Sequence, residues 1–159
     1  MASTTNLEIE KLNSADYVSV DPINNALDNA LDKLDKLGVD YVTESGTSGE
    51  WWYRKWKSGR AECGIDRKNF GTIDHKSAWG ALYSSGTKSW GSSYPVTFSS
   101  APMATVSFLY NGSGTTHCSF VALESTGSTT TPPKFALIDP NSGTAENANF
   151  GIYVCGKTN

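Results

Sequence analysis

The sequence predicts an all-β sandwich or barrel-like head domain preceded by a short α-helical, coiled-coil stem. Three observations predict it. Residues 19–38 carry a helical repeat of apolar side chains, bounded by Asp21-Pro22 and Gly38. From Val39 onward that repeat stops, and short apolar or aromatic runs alternate with Gly, Ser, Thr and Asn clusters. The chain also holds 15 Gly with 5 Trp, 7 Tyr and 6 Phe, which suits many tight turns around a core of large rings. The division is a polar linker over 1–18, a stem over 19–38 and a β head over 39–159.

In the stem, Asp21 is placed to cap the helix and Pro22 to occupy its first position. Gly38 suits the left-handed residue that ends a helix. Between them, Val20, Leu27 and Leu34 take heptad a positions, while Ile23, Ala30 and Leu37 take d positions. Asn24, Asn25, Asp28, Asp32, Lys33, Asp35 and Lys36 form the outer face. A helix of this length, roughly 24 Å, is marginal alone in water, so its stripe must pack on something. It either lies on its own domain or, as the heptad spacing favours, pairs in parallel with copies of itself. Ile23, Leu27, Ala30, Leu34 and Leu37 are the predicted oligomerisation residues.

In the head, strands are predicted at 40–44, 51–57, 60–65, 68–74, 94–99, 104–110, 117–124, 134–139 and 149–155. Turns are placed at 45–49, 58–59, 111–114, 127–133 and 139–143. A two-residue Ser58-Gly59 loop sets the register of the best hairpin: Trp56 faces Ala61, Arg54 faces Cys63 and Trp52 faces Ile65. That face is the predicted core side, with Arg54 needing either to snorkel to solvent or to find a carboxylate partner. Lys55–Glu62 and Lys57–Arg60 are neighbours on the other face, where Trp51 and Tyr53 need cover, for which another subunit is one source.

Composition narrows the function. With 159 residues the chain fits one domain of ordinary size. Its net charge of −3 offers no basic excess for phosphates, so no nucleic-acid partner is expected. No apolar run approaches the roughly 18 residues that span a bilayer, so no membrane insertion is expected. Met1 to Lys11 has no apolar stretch of a secretory signal, which predicts synthesis in the cytoplasm. Cys63, Cys118 and Cys155 are far apart and form no C-x-x-C pair, so they read as three reduced thiols. His75 and His117 have no ligand spacing, and neither a metal nor a cofactor is expected.

Catalytic patterns are sparse. Asp66, Asp74, Asp139 and Glu146 supply carboxylates that a glycosidase would need in a facing pair, but no spacing selects two of them. Gly112-Ser113-Gly114 lacks the outer positions of a nucleophile elbow. Gly86-Thr87-Lys88-Ser89 lacks the upstream glycine and the strand–helix context of a phosphate loop. The aromatic residues Trp79, Tyr83, Trp90 and Tyr94 flank a Ser/Gly/Thr-rich stretch. A ring face exposed among small polar residues suits the apolar face of a pyranose, whereas the same rings also suit a core or a subunit interface. Trp90, surrounded by Gly and Ser, is the candidate for exposure. Trp90, Tyr83 and Tyr94 are the candidate ligand-binding residues.

Trp51, Tyr53-Arg54-Lys55-Trp56, Ser58-Gly59 and Ala61-Glu62-Cys63 resemble a motif in C-terminal domains of tail proteins from phages and prophages of Gram-positive bacteria, including gut species. Trp79-Gly80, Tyr94-Pro95 with Phe98, and the closing Ile152-Tyr153-Val154 with Gly156 add to the likeness, which covers roughly residues 39–159. Gly64 departs from the pattern, which often has an aromatic residue there. The resemblance implies a trimeric fibre tip or receptor-binding head that acts in the virion tail at the host surface. It carries over no catalytic or ligand residue. The expected partners are two further copies, a host cell-surface glycan or protein, and other tail proteins. The alternatives are a structural tail or collar component and a small polysaccharide hydrolase.

Overall fold

The computed structural model describes residues 20–109 and 119–159. The 1–18 linker, the 111–114 turn, His117 and Cys118 lie outside the described residues. The side chains of Val20, Asp21 and Pro22 are likewise outside them.

The chain divides into two units, Met1–Tyr41 and Val42–Asn159. The first holds the single helix among the described residues, α1 (Val20–Lys36). It starts earlier than the Asp21 cap predicts, which places Pro22 in the first turn, where a missing N–H breaks no helical bond. Its C-terminus closes as the sequence predicts. Gly38 takes φ 65°. Val39 N–H donates to Leu34 O at 3.2 Å and Gly38 N–H to Asp35 O at 3.1 Å, the paired bonds of a Schellman motif.

The second unit is almost entirely β. Its strands are β1 (Val42–Ser48), β2 (Trp51–Trp56), β3 (Arg60–Asn69), β4 (Ile73–His75), β5 (Ser77–Trp79), β6 (Leu82–Ser84), β7 (Met103–Leu109), β8 (Phe120–Leu123), β9 (Phe135–Asp139), β10 (Gly143–Ala145) and β11 (Asn149–Lys157). They form a five-stranded sheet β1-β2-β3-β11-β7, a four-stranded sheet β5-β6-β9-β8 and a β10-β4 pair. All the pairings are antiparallel.

One core joins the two larger sheets. From the five-stranded sheet come Trp51, Ala61, Cys63, Ile65, Phe150, Ile152 and Val154; from β9 come Phe135 and Leu137. Alternation along β3 and β11 explains this selection, because every second side chain points to one face. β9 is buried on both faces, as its unbroken apolar run suggests. Rings dominate the centre: Phe135 and Phe150 lie 4.7 Å apart by centroid, and Phe70 meets each of them edge-on.

Several predicted strands differ. The 45–49 turn is mostly strand: β1 runs to Ser48, and only Gly49 and Glu50 turn. The 68–74 strand is not one element, since β3 continues to Asn69 and β4 begins at Ile73. β5, β6 and β10 are three-residue strands too short to leave a periodic signal. The 94–99 segment is not a ladder strand, although its period of two is real: Tyr94, Val96 and Phe98 are all buried. Its N–H groups instead reach single carbonyls, Tyr94 to Thr130 at 2.8 Å, Phe98 to Thr129 at 2.9 Å and Ser99 to Lys157 at 2.7 Å. Pro95 has no N–H to offer a ladder. The Ser125–Thr131 stretch is therefore a backbone partner of the 94–99 segment as well as a connection.

Candidate functional site

The β2–β3 hairpin decides which side chains reach solvent, and its register differs by one residue from the prediction. Tyr53 pairs with Cys63, Arg54 with Glu62 and Trp52 with Gly64. The loop holds three residues, Lys57-Ser58-Gly59, with Gly59 at φ 78° and its N–H donating to Trp56 O at 3.0 Å. A two-residue Ser-Gly loop of the favoured type would require Ser58 to adopt positive φ, which its Cβ disfavours. Gly59 alone absorbs that conformation in the longer loop. The slip turns β2 over. Trp51 is buried in the core of its own unit and Tyr53 packs half-buried against that core, while Trp52, Arg54 and Trp56 stand on the outer face. The predicted Lys55–Glu62 neighbours become Lys55–Glu44, at 2.8 Å, and Arg54–Glu62, at 3.8 Å.

The outer face reads as two rows across the five strands. One runs Ser45, Arg54, Glu62, Cys155, Met103; the next runs Thr47, Trp52, Gly64, Tyr153, Thr105. Glu62 is the buried centre. Its side chain is 10% exposed, against 59% for Arg54 and 51% for Arg60. Glu62 accepts a hydrogen bond from the Tyr153 hydroxyl. That bond, followed by burial, raises the Tyr153 phenol above its ordinary pKa. Arg54 approaches the Glu62 carboxylate at 3.8 Å and Arg60 at 3.9 Å, from opposite oxygens. Each guanidinium also lies over an indole, Arg54 over Trp52 at 5.8 Å and Arg60 over Trp56 at 5.2 Å. The Trp52 indole N–H donates to Asp66 at 2.7 Å, which fixes that ring across the sheet.

Gly64 makes room for this arrangement. A Cβ there would lie 2.5 Å from Ile152 O and 2.8 Å from a Trp52 ring carbon. The aromatic residue that the resembling motif often carries has no space here. Gly64→Ala is expected to lose about 1–3 kcal/mol by overpacking, because the closest obstacle is backbone. Urea unfolding measures this, and a variant as stable as the parent would contradict the placement of Trp52.

The candidate residues chosen from sequence distribute differently. Trp90 is 2% exposed and Tyr94 7%. Trp90 packs on Phe135 at 5.1 Å and Phe70 at 5.5 Å, and Tyr94 meets Trp51 at 5.6 Å and Phe98 at 5.4 Å. Gly and Ser around Trp90 shape its loop but do not expose its ring, since a domain this small needs such rings inside. Neither Trp90 nor Tyr94 presents a face to a sugar. Tyr83 is half-buried on β6, paired with Ala78 and Asp139. Of the four rings flanking the polar stretch, Trp79 on β5 is the exposed one. The structure therefore does not gather Trp90, Tyr83 and Tyr94 on one open surface.

Burial also marks Tyr94 chemically. Its hydroxyl has no hydrogen-bond partner among the described residues. Desolvation raises its pKa well above the ordinary phenol value. Tyr94→Phe removes that buried oxygen and keeps the ring. It is expected to leave stability unchanged or raise it by up to about 1 kcal/mol. Thermal unfolding checks it, and a loss above that size would reveal a partner for the hydroxyl.

Of the four carboxylates considered for hydrolysis, Asp66, Asp74 and Asp139 have protein partners, and Glu146 is exposed. Asp66 accepts from Trp52. Asp74 accepts from Thr144 at 2.6 Å and from Lys76 at 2.9 Å. Asp139 is buried and accepts from the Ser119 hydroxyl and from Asn141 N–H. Cys63 is a buried free thiol whose pKa desolvation pushes up to about 12, and Cys155 is free and half-buried. Among the described residues no helix is long and apolar enough to cross a membrane.

Sequence reasoning missed the outer cluster because both phases of Trp51-Trp52-Tyr53-Arg54-Lys55-Trp56 contain large rings. The available signal was Gly59, the third residue of a three-residue loop. Comparison with family models, with curated proteins and with solved structures finds no match for this chain.

Proposed function

We propose that this chain is a homotrimeric phage tail-fibre head, assembled through α1 and binding a host cell-surface glycan through its β unit. The observation that carries the assembly is the open apolar stripe of the helix. Ile23, Leu27, Leu31 and Leu37 are all exposed, and Ala30 and Leu34 are half-buried. Spacing of three and four residues keeps Ile23, Leu27, Ala30, Leu34 and Leu37 on one side, the geometry of a coiled-coil seam. A helix of 17 residues spans roughly 25 Å and is marginal by itself. Burial of that seam against copies supplies what the isolated helix lacks.

The motif running from Trp51 to Cys63 supports the tail-fibre assignment by resemblance. Trimerisation also suits weak recognition of a repeated surface structure, because linked sites raise the overall affinity without new contacts. Light scattering on a sizing column tests the assembly. A mass near three chains is the expected result. A monomer would overturn the trimer and move a structural tail or collar role ahead.

A further inference from the structure

The outer face of the β2–β3–β11 strands has a chemistry that narrows the ligand, and naming it rests on the surface-binding role proposed above. Across the molecule the net charge is −3. This face is the reverse. Arg54, Arg60 and Lys157 lie on it by register, and the carboxylate between the two arginines, Glu62, is sunk beneath them. Solvent meets three cations and two half-buried indoles here, with the exposed Asp66 carboxylate, engaged by the Trp52 indole N–H, at the edge. The arginines stand at 3.8 and 3.9 Å from Glu62, beyond direct hydrogen-bond reach, and each is steadied by an indole face.

From this geometry we infer that the Trp52/Arg54/Trp56/Arg60 face binds a glycan built of carboxylated pyranose units. A planar guanidinium fork matches a carboxylate with two parallel bonds, a geometry that a lysine ammonium does not reproduce. The edges of Trp52 and Trp56 offer apolar surface to the C–H face of the sugar ring. Arg54 sits beside Glu62 across the strands, and Arg60 lies two residues before Glu62 on β3, roughly 7 Å from it along the strand. Successive charged units of a polymer can meet the two forks in turn. Charge complementarity selects an acidic polymer over a neutral one, and the rings select a pyranose over a flexible polyanion.

Affinity electrophoresis of the full chain tests this with three carboxylated polymers, polygalacturonate, hyaluronan and alginate, and with dextran and poly-L-glutamate beside them. At least one carboxylated polymer should retard the protein, dextran should not, and poly-L-glutamate should do so more weakly. The Arg54→Lys/Arg60→Lys variant keeps the charge around Glu62 and should lose affinity about tenfold. Trp56→Leu, which leaves Glu62 and both arginines in place, should also weaken binding. The inference is overturned if no carboxylated polymer retards the chain, or if dextran or poly-L-glutamate binds as well. It is equally overturned if both variants bind like the parent, or if the lysine variant loses assembly, which would make this face a subunit contact. Solution mass on the same samples separates the two readings: a trimer that binds none of the polymers overturns this inference alone, and a monomer that binds them overturns the assembly alone.

Discussion

Phe150→Ala is expected to lower the unfolding free energy by about 3–5 kcal/mol, the cost of deleting a large buried ring from a packed site. Phe150 is fully buried on β11, between β3 and β7 in the five-stranded sheet. Its ring meets Phe135 at 4.7 Å, Phe108 at 4.9 Å and Phe70 at 5.4 Å. Those neighbours belong to both larger sheets and to the segment after β3, so they cannot all collapse into the space. A domain with about 5–15 kcal/mol of stability would lose a large share of it. Urea unfolding followed by tryptophan fluorescence measures the change as a lower midpoint at constant slope. A loss below about 1 kcal/mol would mean that the ring is not at the junction of the sheets.

The second large effect concerns assembly. Leu27→Asp with Leu34→Asp puts two carboxylates into the proposed seam of each helix. In a parallel trimer, three copies bring like charges together at two levels, in a site whose stability comes from apolar burial. The mass should fall from near three chains to one. Because the helix is short, its signal in circular dichroism should fall with assembly. The β signal should remain, since the unit Val42–Asn159 has its own core. A double variant that stays fully assembled would show that α1 is not the organiser.

The helix was legible because three local signals agree over a short span: the stripe, the charged outer face and the closing glycine. The second of the two hairpin strands was legible too, since Ala61, Cys63 and Ile65 alternate with Glu62, Gly64 and Asp66, and only one phase is apolar. The first strand was not. With rings in both phases, its facing depends on loop length, and one residue more in the loop exchanges every side chain between core and solvent. The platform of Trp52, Arg54, Trp56 and Arg60 was hidden by that single residue. Trp90 failed for a different reason. Its neighbours in sequence are small and polar, but its neighbours in space are Phe70, Trp51 and Phe135, from the segment after β3, from β2 and from β9.

By itself the sequence determined the class of structure, one amphipathic helix ahead of a β unit, because hydrophobic period and turn chemistry act over a few residues. It also determined the end of the helix, since Gly38 tolerates the left-handed backbone that the motif requires. Only the tertiary structure decided which aromatic rings are inside, how β1, β2, β3, β11 and β7 line up, and that Glu62 lies under two arginines. Those outcomes depend on pairings between residues far apart in the chain, such as Glu62 with Tyr153. Burial is a property of such neighbours, and no local pattern records them.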